Sequence, residues 1–137
     1  MSTDGTLDLF KAVRAAILAD AYLATKFGAR VFSSWGNQDA ATPLARLWAG
    51  SRQFEMDGAG VGSEIDLWIY VFTTEDGATV GRTIANKVRD VLEGASLTLD
   101  AAKLIALDYR DTIARRDDAS PSLQTVIVRF LATTVTA

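Results

Sequence analysis

The run Glu64-Ile65-Asp66-Leu67-Trp68-Ile69-Tyr70-Val71-Phe72-Thr73 decides how this chain folds. Its odd positions, Ile65, Leu67, Ile69 and Val71, are aliphatic. Its even positions, Glu64, Asp66, Trp68, Tyr70 and Phe72, are acidic and then aromatic. Side chains alternate across a strand, so the run predicts a sheet with two unlike faces. The aliphatic face requires a core. The other face is apolar enough to bury yet carries polar handles, which suits a partner.

A turn, Thr74-Glu75-Asp76-Gly77, leads into Val80, Ile84, Val88, Val91 and Leu92. Spacings of three and four place these on one helical stripe that can cover the aliphatic face. Gly94 is expected just past the end of that helix, where a left-handed residue fits.

Outward from this unit, Leu7, Phe10, Val13, Ile17 and Ala21 form an N-terminal helical stripe, with Leu9, Ala16 and Leu18 beside it. Thr6 is the expected cap and Asp8 suits the positive end of the helix dipole. Gly28 ends the segment; residues 22–27 read either as the same helix or as a second one after a bend. Residues 30–35 read as a short strand and 36–39 as a turn. Pro43 opens a strand over 44–54, where a missing N–H is tolerated. On it Ala45, Leu47 and Ala49 share one face and Arg46, Trp48 and Arg52 the other, and Gly50 suggests a bulge or a bend.

Glu55, Met56, Asp57, Gly58, Gly60 and Gly62 then read as a flexible hairpin loop over 55–63. A phosphate-cradling loop needs its glycines between a strand and a helix N-terminus, and here a strand follows. Residues 97–99 read as extended and 100–102 as a turn. Lys103 opens a strand to Arg115, with Ile105, Leu107, Tyr109 and Ile113 on one face. After a charged turn, 123–135 forms the last strand, with Val126, Val128 and Phe130 on one face and Leu123, Thr125, Ile127, Arg129 and Leu131 on the other. The order gives an α+β domain spanning residues 1–137, with a mainly antiparallel sheet and two α-helices packed on one face.

The chain has 137 residues, no cysteine, no histidine and a formal net charge of −3. Without cysteine there is no disulfide, thiol nucleophile or zinc–thiolate site. Without histidine there is no serine–histidine dyad or imidazole ligand. A net-acidic chain lacks the cationic excess that grips phosphates. No apolar run reaches membrane length, and the start lacks a basic-then-apolar secretory pattern.

Asp108, Asp111, Asp117 and Asp118 could form an acid or metal cluster, but Arg110, Arg115 and Arg116 are interleaved with them. Such mixtures usually make a solvated, salt-bridged surface. Asp57, Glu64 and Asp66 match no calcium-loop spacing. The expectation is no enzyme, no cofactor and no metal. Trp48, Trp68 and Tyr70 alternate with arginine and carboxylates, the composition of interface centres; ordinary second-face packing is the competing reading.

The chain resembles the tail-completion, or tail terminator, proteins of long-tailed phages and phage-like gene transfer agents. The resemblance starts with Leu7-Asp8-Leu9-Phe10-Lys11-Ala12-Val13 and Phe27-Gly28-Ala29-Arg30-Val31-Phe32. It continues through Pro43 and is most specific over Leu67-Trp68-Ile69-Tyr70-Val71-Phe72-Thr73-Thr74-Glu75-Asp76-Gly77 and Ile84-Ala85-Asn86-Lys87-Val88-Arg89-Asp90-Val91-Leu92. Val126-Ile127-Val128-Arg129-Phe130 matches in kind. Thr73-Thr74 departs from the family, where serine is frequent, and the long glycine loop is of variable length.

The resemblance implies a non-catalytic virion structural protein, assembled in the bacterial cytoplasm. It would form a homohexameric ring on the head-proximal end of the tail tube. Tube growth would end there, and the tail would join the head-side connector or stopper. DNA would pass through without being read. Loops 55–64 and 115–122, with Arg115, Arg116, Asp117 and Asp118, would reach neighbouring subunits or the tube. The alternatives are another neck or tail-tube subunit or, in a different class, a small-ligand-binding domain.

Overall fold

A computed structural model describes residues 5–33, 42–56, 60–74, 78–93, 95–99, 103–116 and 124–136. The turns expected at 36–39, 75–77, 100–102 and 119–122, the end of the short strand at 34–35, and Gly94 lie outside these residues.

The elements are α1 (Thr6–Ala19), α2 (Ala21–Phe27), β1 (Val31–Phe32), β2 (Leu44–Met56), β3 (Gly60–Thr73), α3 (Ala78–Leu92), β4 (Lys103–Arg116) and β5 (Gln124–Thr136). The strands form one sheet in the order β1-β2-β3-β5-β4. Every pairing is antiparallel except β1 with β2. The class is α+β, as the alternation in β3 and the stripe in α3 require.

Ile65, Leu67, Ile69 and Val71 are fully buried. They share the core with Leu47 of β2, with Val126, Val128 and Phe130 of β5, and with Ile84, Val88 and Leu92 of α3. The helices therefore cover one face of the sheet. α3 approaches most closely at Gly81, where a Cβ would stand 3.1 Å from Val126 Cγ2 and 3.2 Å from Thr73 Cγ2.

Among the described residues there are three helices rather than two. The N-terminal segment breaks at Asp20, whose extended backbone leaves α1 and whose carboxylate accepts from Leu23 N–H at 3.1 Å. An acceptor there satisfies one of the otherwise orphaned donors of α2. Gly28 closes α2 at φ 62°, a conformation favouring glycine. Arg14 then donates to the carbonyls of Val31 and Ala29, and Arg30 to those of Pro43 and Lys26, which ties α1, α2 and β1 to the start of β2.

Several expectations are corrected. Gly5, at φ 82°, occupies the N-cap of α1 and Thr6 is its first helical residue. The buried stripe of α1 is Leu9, Val13 and Ile17, an i, i+4, i+8 row, which turns Leu7 outward. Gly50 makes no bulge; it stays in register opposite Asp66. The loop over 55–63 is mostly strand. Met56 pairs with Gly60, Glu55 with Val61 and Phe54 with Gly62, while β5 supports Gly62 through Val135. Gly62, paired on both sides, and Gly60, paired to β2, are thereby held extended against their weak strand preference.

In β4 the expected face is split. The ladder with β5 shifts between Leu104 and Ala106 and again between Tyr109 and Asp111. Each shift inserts one residue and resets the alternation. Leu104, Leu107 and Tyr109 therefore pack against the core, while Ile105 and Ile113 are exposed.

Candidate assembly interface

No helix packs on the second face of the sheet among the described residues, and that face is organised by cross-strand rows. Trp48 lies opposite Trp68, Trp68 opposite Arg129, and Arg129 opposite Asp111. The row thus reads aromatic, aromatic, cation, anion across four strands.

Arg129 grips Asp111 with both arms, Nε to Oδ1 at 2.6 Å and a terminal nitrogen to Oδ2 at 2.7 Å. Its guanidinium also lies 5.3 Å from the Trp68 ring centre. A forked, charge-assisted pair fixes both side chains more firmly than one bond would. Hydrogen bonding from Arg129 holds the Asp111 carboxyl below its usual range, with partial opposition from desolvation. The same bond raises the Arg129 guanidinium further above its already high value.

Down β3 the rings continue. Trp68 and Tyr70 have centroids 6.2 Å apart, and Tyr70 and Phe72 stack at the same spacing with 12° between planes. Burial pushes the Tyr70 phenol up, and the nearby Arg115 charge partly opposes this. Arg46 is buried at the β1 side, its guanidinium 5.3 Å from the Phe32 ring centre. Trp48 remains 53% exposed. Arg52 and Glu64 close the face with an exposed pair at 2.9 Å.

The residues expected from sequence fall into three groups. Trp48, Arg52, Trp68, Tyr70 and Arg115 share this one face. Glu55, Met56, Gly60 and Gly62 belong to the β2–β3 ladder at one end of the sheet, and Arg116 to β4 at the other. Asp57, Gly58, Asp117 and Asp118 lie outside the described residues. Met56 and Gly60, which flank the glycine loop, and Arg116 and Gln124, which flank the charged turn, thus lie at opposite ends of strands 13–14 residues long. Their separation is about 40 Å at the usual rise per residue.

Sequence reasoning missed the Arg129–Asp111 pair. Both residues were visible, but 18 positions separate them, and the bulge at Arg110 decides which face Asp111 takes. Among the described residues no group of three or more acidic side chains is placed to hold a metal, and no helix is long and apolar enough to cross a membrane. Asp108 lies one row from Asp111, opposite Leu131, on a strand that also carries Arg110 and Arg115.

A helix-backed antiparallel sheet whose second face is ordered by aromatic and paired charged residues defines an α+β domain with one sheet face left uncovered by its described helices. Residues 11–134 match the family described as Tail completion protein gp17, and the chain belongs to that family. Its members are structural proteins of the virion tail, and this chain is a tail structural protein of the phage or gene transfer agent kind. It is also similar to a chain in a solved structure, the virion of a native gene transfer agent particle. The two are 26% identical with a TM-score of 0.86, and the match covers 98% of this chain and 99% of that one. No curated protein matches.

Proposed function

We propose that this chain forms a six-membered ring on the head-proximal end of the tail tube. The ring ends tube growth and joins the tail to the head-side connector or stopper, and assembly takes place in the bacterial cytoplasm. The observation that carries the reading is the near end-to-end likeness to a chain of a gene transfer agent virion, together with membership of the tail completion family.

The physical reading supports it. A ring subunit needs two lateral surfaces for its neighbours and two axial ends for what lies above and below. The sheet offers both. Its helix-free face and edges are available laterally. The β2–β3 ladder carries Glu55, Met56, Gly60 and Gly62 to one end, and β4 carries Arg115 and Arg116 to the other; the reading assigns the sequence neighbours Asp57, Gly58, Asp117 and Asp118 to the same contacts. In this reading one end meets the tube and the other the connector. DNA crosses the lumen without sequence reading. A subunit of net charge −3 has little tendency to hold it, because phosphate binding depends on cationic contacts.

The test is the mass in solution by light scattering, with and without purified tail tubes, joined to end-on imaging. A ring seated on one tube end is expected. A chain that stays monomeric and ignores tubes overturns the proposal.

A further inference from the structure

Among the described residues the sheet has two open edges, and they lie on opposite sides. β4 pairs with β5 alone. On the other side the described part of β1 pairs with β2 at Ala45 and Arg46, and a bend at Ser33 ends that pairing. Residues 47–56 of β2 therefore have no described strand beside them on that side. Proteins normally blunt such edges. Three of the five exposed large apolar side chains among the described residues lie on these edge strands: Trp48 on β2, and Ile105 at 55% and Ile113 at 43% exposed on β4; the other two, Leu7 and Tyr22, are on helices. The two shifts in β4 spoil its regularity near Ile105 and Arg110, but the ladder is unbroken over 111–116.

We propose that copies of this chain join edge to edge, β4 of one against residues 47–56 of β2 of the next. Ile113 packs on the neighbour's Trp48, and Asp108 pairs with its Arg52. The proposal rests on the ring reading for its partner, a second copy, and adds the surface and register.

Direction, spacing and charge support this choice. Successive strands alternate from β2 through β3 and β5 to β4, so β4 meets the neighbour's β2 antiparallel when the sheet is continued by rotation. β1 closes the β2 edge at Arg46, so the ladder can begin only at residues 47 and 48. With Ile113 opposite Trp48, the two exposed apolar side chains cover one another. Ile113 and Asp108 face Ile127 and Leu131 of β5, four ladder positions apart despite the bulge at Arg110. Trp48 and Arg52 are also four apart, so the same register sets Asp108 against Arg52.

Arg52 is exposed and, among the described residues, pairs with the exposed Glu64, a contact that is readily exchanged. Phe54 of the incoming strand comes beside Ala106. Each copy uses each edge once, so the contact is head-to-tail and closes by rotation.

The absence of native cysteine makes the test direct. Directly opposed residues of an antiparallel ladder have Cα atoms about 4.5–5.5 Å apart, within disulfide reach. Trp48→Cys and Ile113→Cys chains are mixed with tail tubes and mildly oxidised. A covalent dimer from the mixture, and from neither variant alone, is expected; Leu7→Cys with Trp48→Cys should give none. In a second measurement, Asp108→Arg and Arg52→Asp should each weaken association by roughly threefold to tenfold, and the two in one chain should restore it. If wild type rings form but the 48–113 link and the charge rescue both fail, the edge contact is overturned and the ring stands. If no assembly forms with or without tubes, both fall.

Discussion

The two faces of β3 come from one run of sequence and answer to different physics. The odd face is closed by three helices and leaves Ile65, Leu67, Ile69 and Val71 with no exposure. The even face carries a Trp–Trp–Arg–Asp row that is ordered from within the chain yet half open. The first face makes the domain fold. The second, in the proposed ring, is a preorganised surface, whose side chains would lose less freedom when a partner arrives. Substitutions on neighbouring residues of one strand should therefore separate stability from assembly.

The comparison is strained most from the inner face. Phe130 is fully buried and meets the Tyr109 ring edge-on at 5.8 Å between centroids. Phe130→Ala should lower unfolding free energy by about 3–5 kcal/mol, read from the urea midpoint. Next comes Gly81, where α3 lies against Val126 and Thr73. Both neighbours are buried and β-branched, with stiff rotamers. Gly81→Leu should cost about 1–3 kcal/mol through overpacking, despite the better helix propensity of leucine.

The outer face should respond in the opposite sense. Trp48→Ala loses a cross-strand aromatic pair that contributes roughly 0.2–1 kcal/mol, so the urea midpoint should move little. Assembly on tubes should weaken by at least about thirtyfold if Trp48 is an interface centre. A Trp48→Ala chain that caps tubes as well as wild type would reduce the row to ordinary surface packing.

This contrast also explains what the sequence disclosed. Period-two alternation in β3 and the three-and-four spacing in α3 are local signals, and both survived folding unchanged. β4 did not, because inserted residues at Ile105 and Arg110 reset its alternation, and only the partner strand shows where insertions fall. The glycines at 60 and 62 argued for a loop, while pairing with β2, and for Gly62 with β5 as well, made them strand. The break at Asp20 was legible: a side-chain acceptor just before Ala21 is a capping signal inside an apolar stripe. Of the candidate interface, Trp48, Trp68, Tyr70 and Arg52 could be read from strand parity. The Arg129–Asp111 grip and the parallel two-residue β1 could not, since each depends on distant pairing.

The smallest effect tests how far the outer row is ordered by charge. Asp111 has its carboxyl held below the ordinary value by hydrogen bonds from Arg129. A depressed folded-state pKa contributes stability that is present above the unfolded value, about 3.9, and is lost as pH falls through the folded one. The pair is partly exposed, so solvent screens most of its Coulomb energy. Asp111→Asn should therefore shift the urea midpoint slightly at pH 7. The difference from wild type should hold down to about pH 5 and shrink below pH 4, where the wild-type carboxylate takes up its proton. A gap that persists unchanged to pH 3 would assign the effect to packing, and the row would then be held by its rings rather than by its charges.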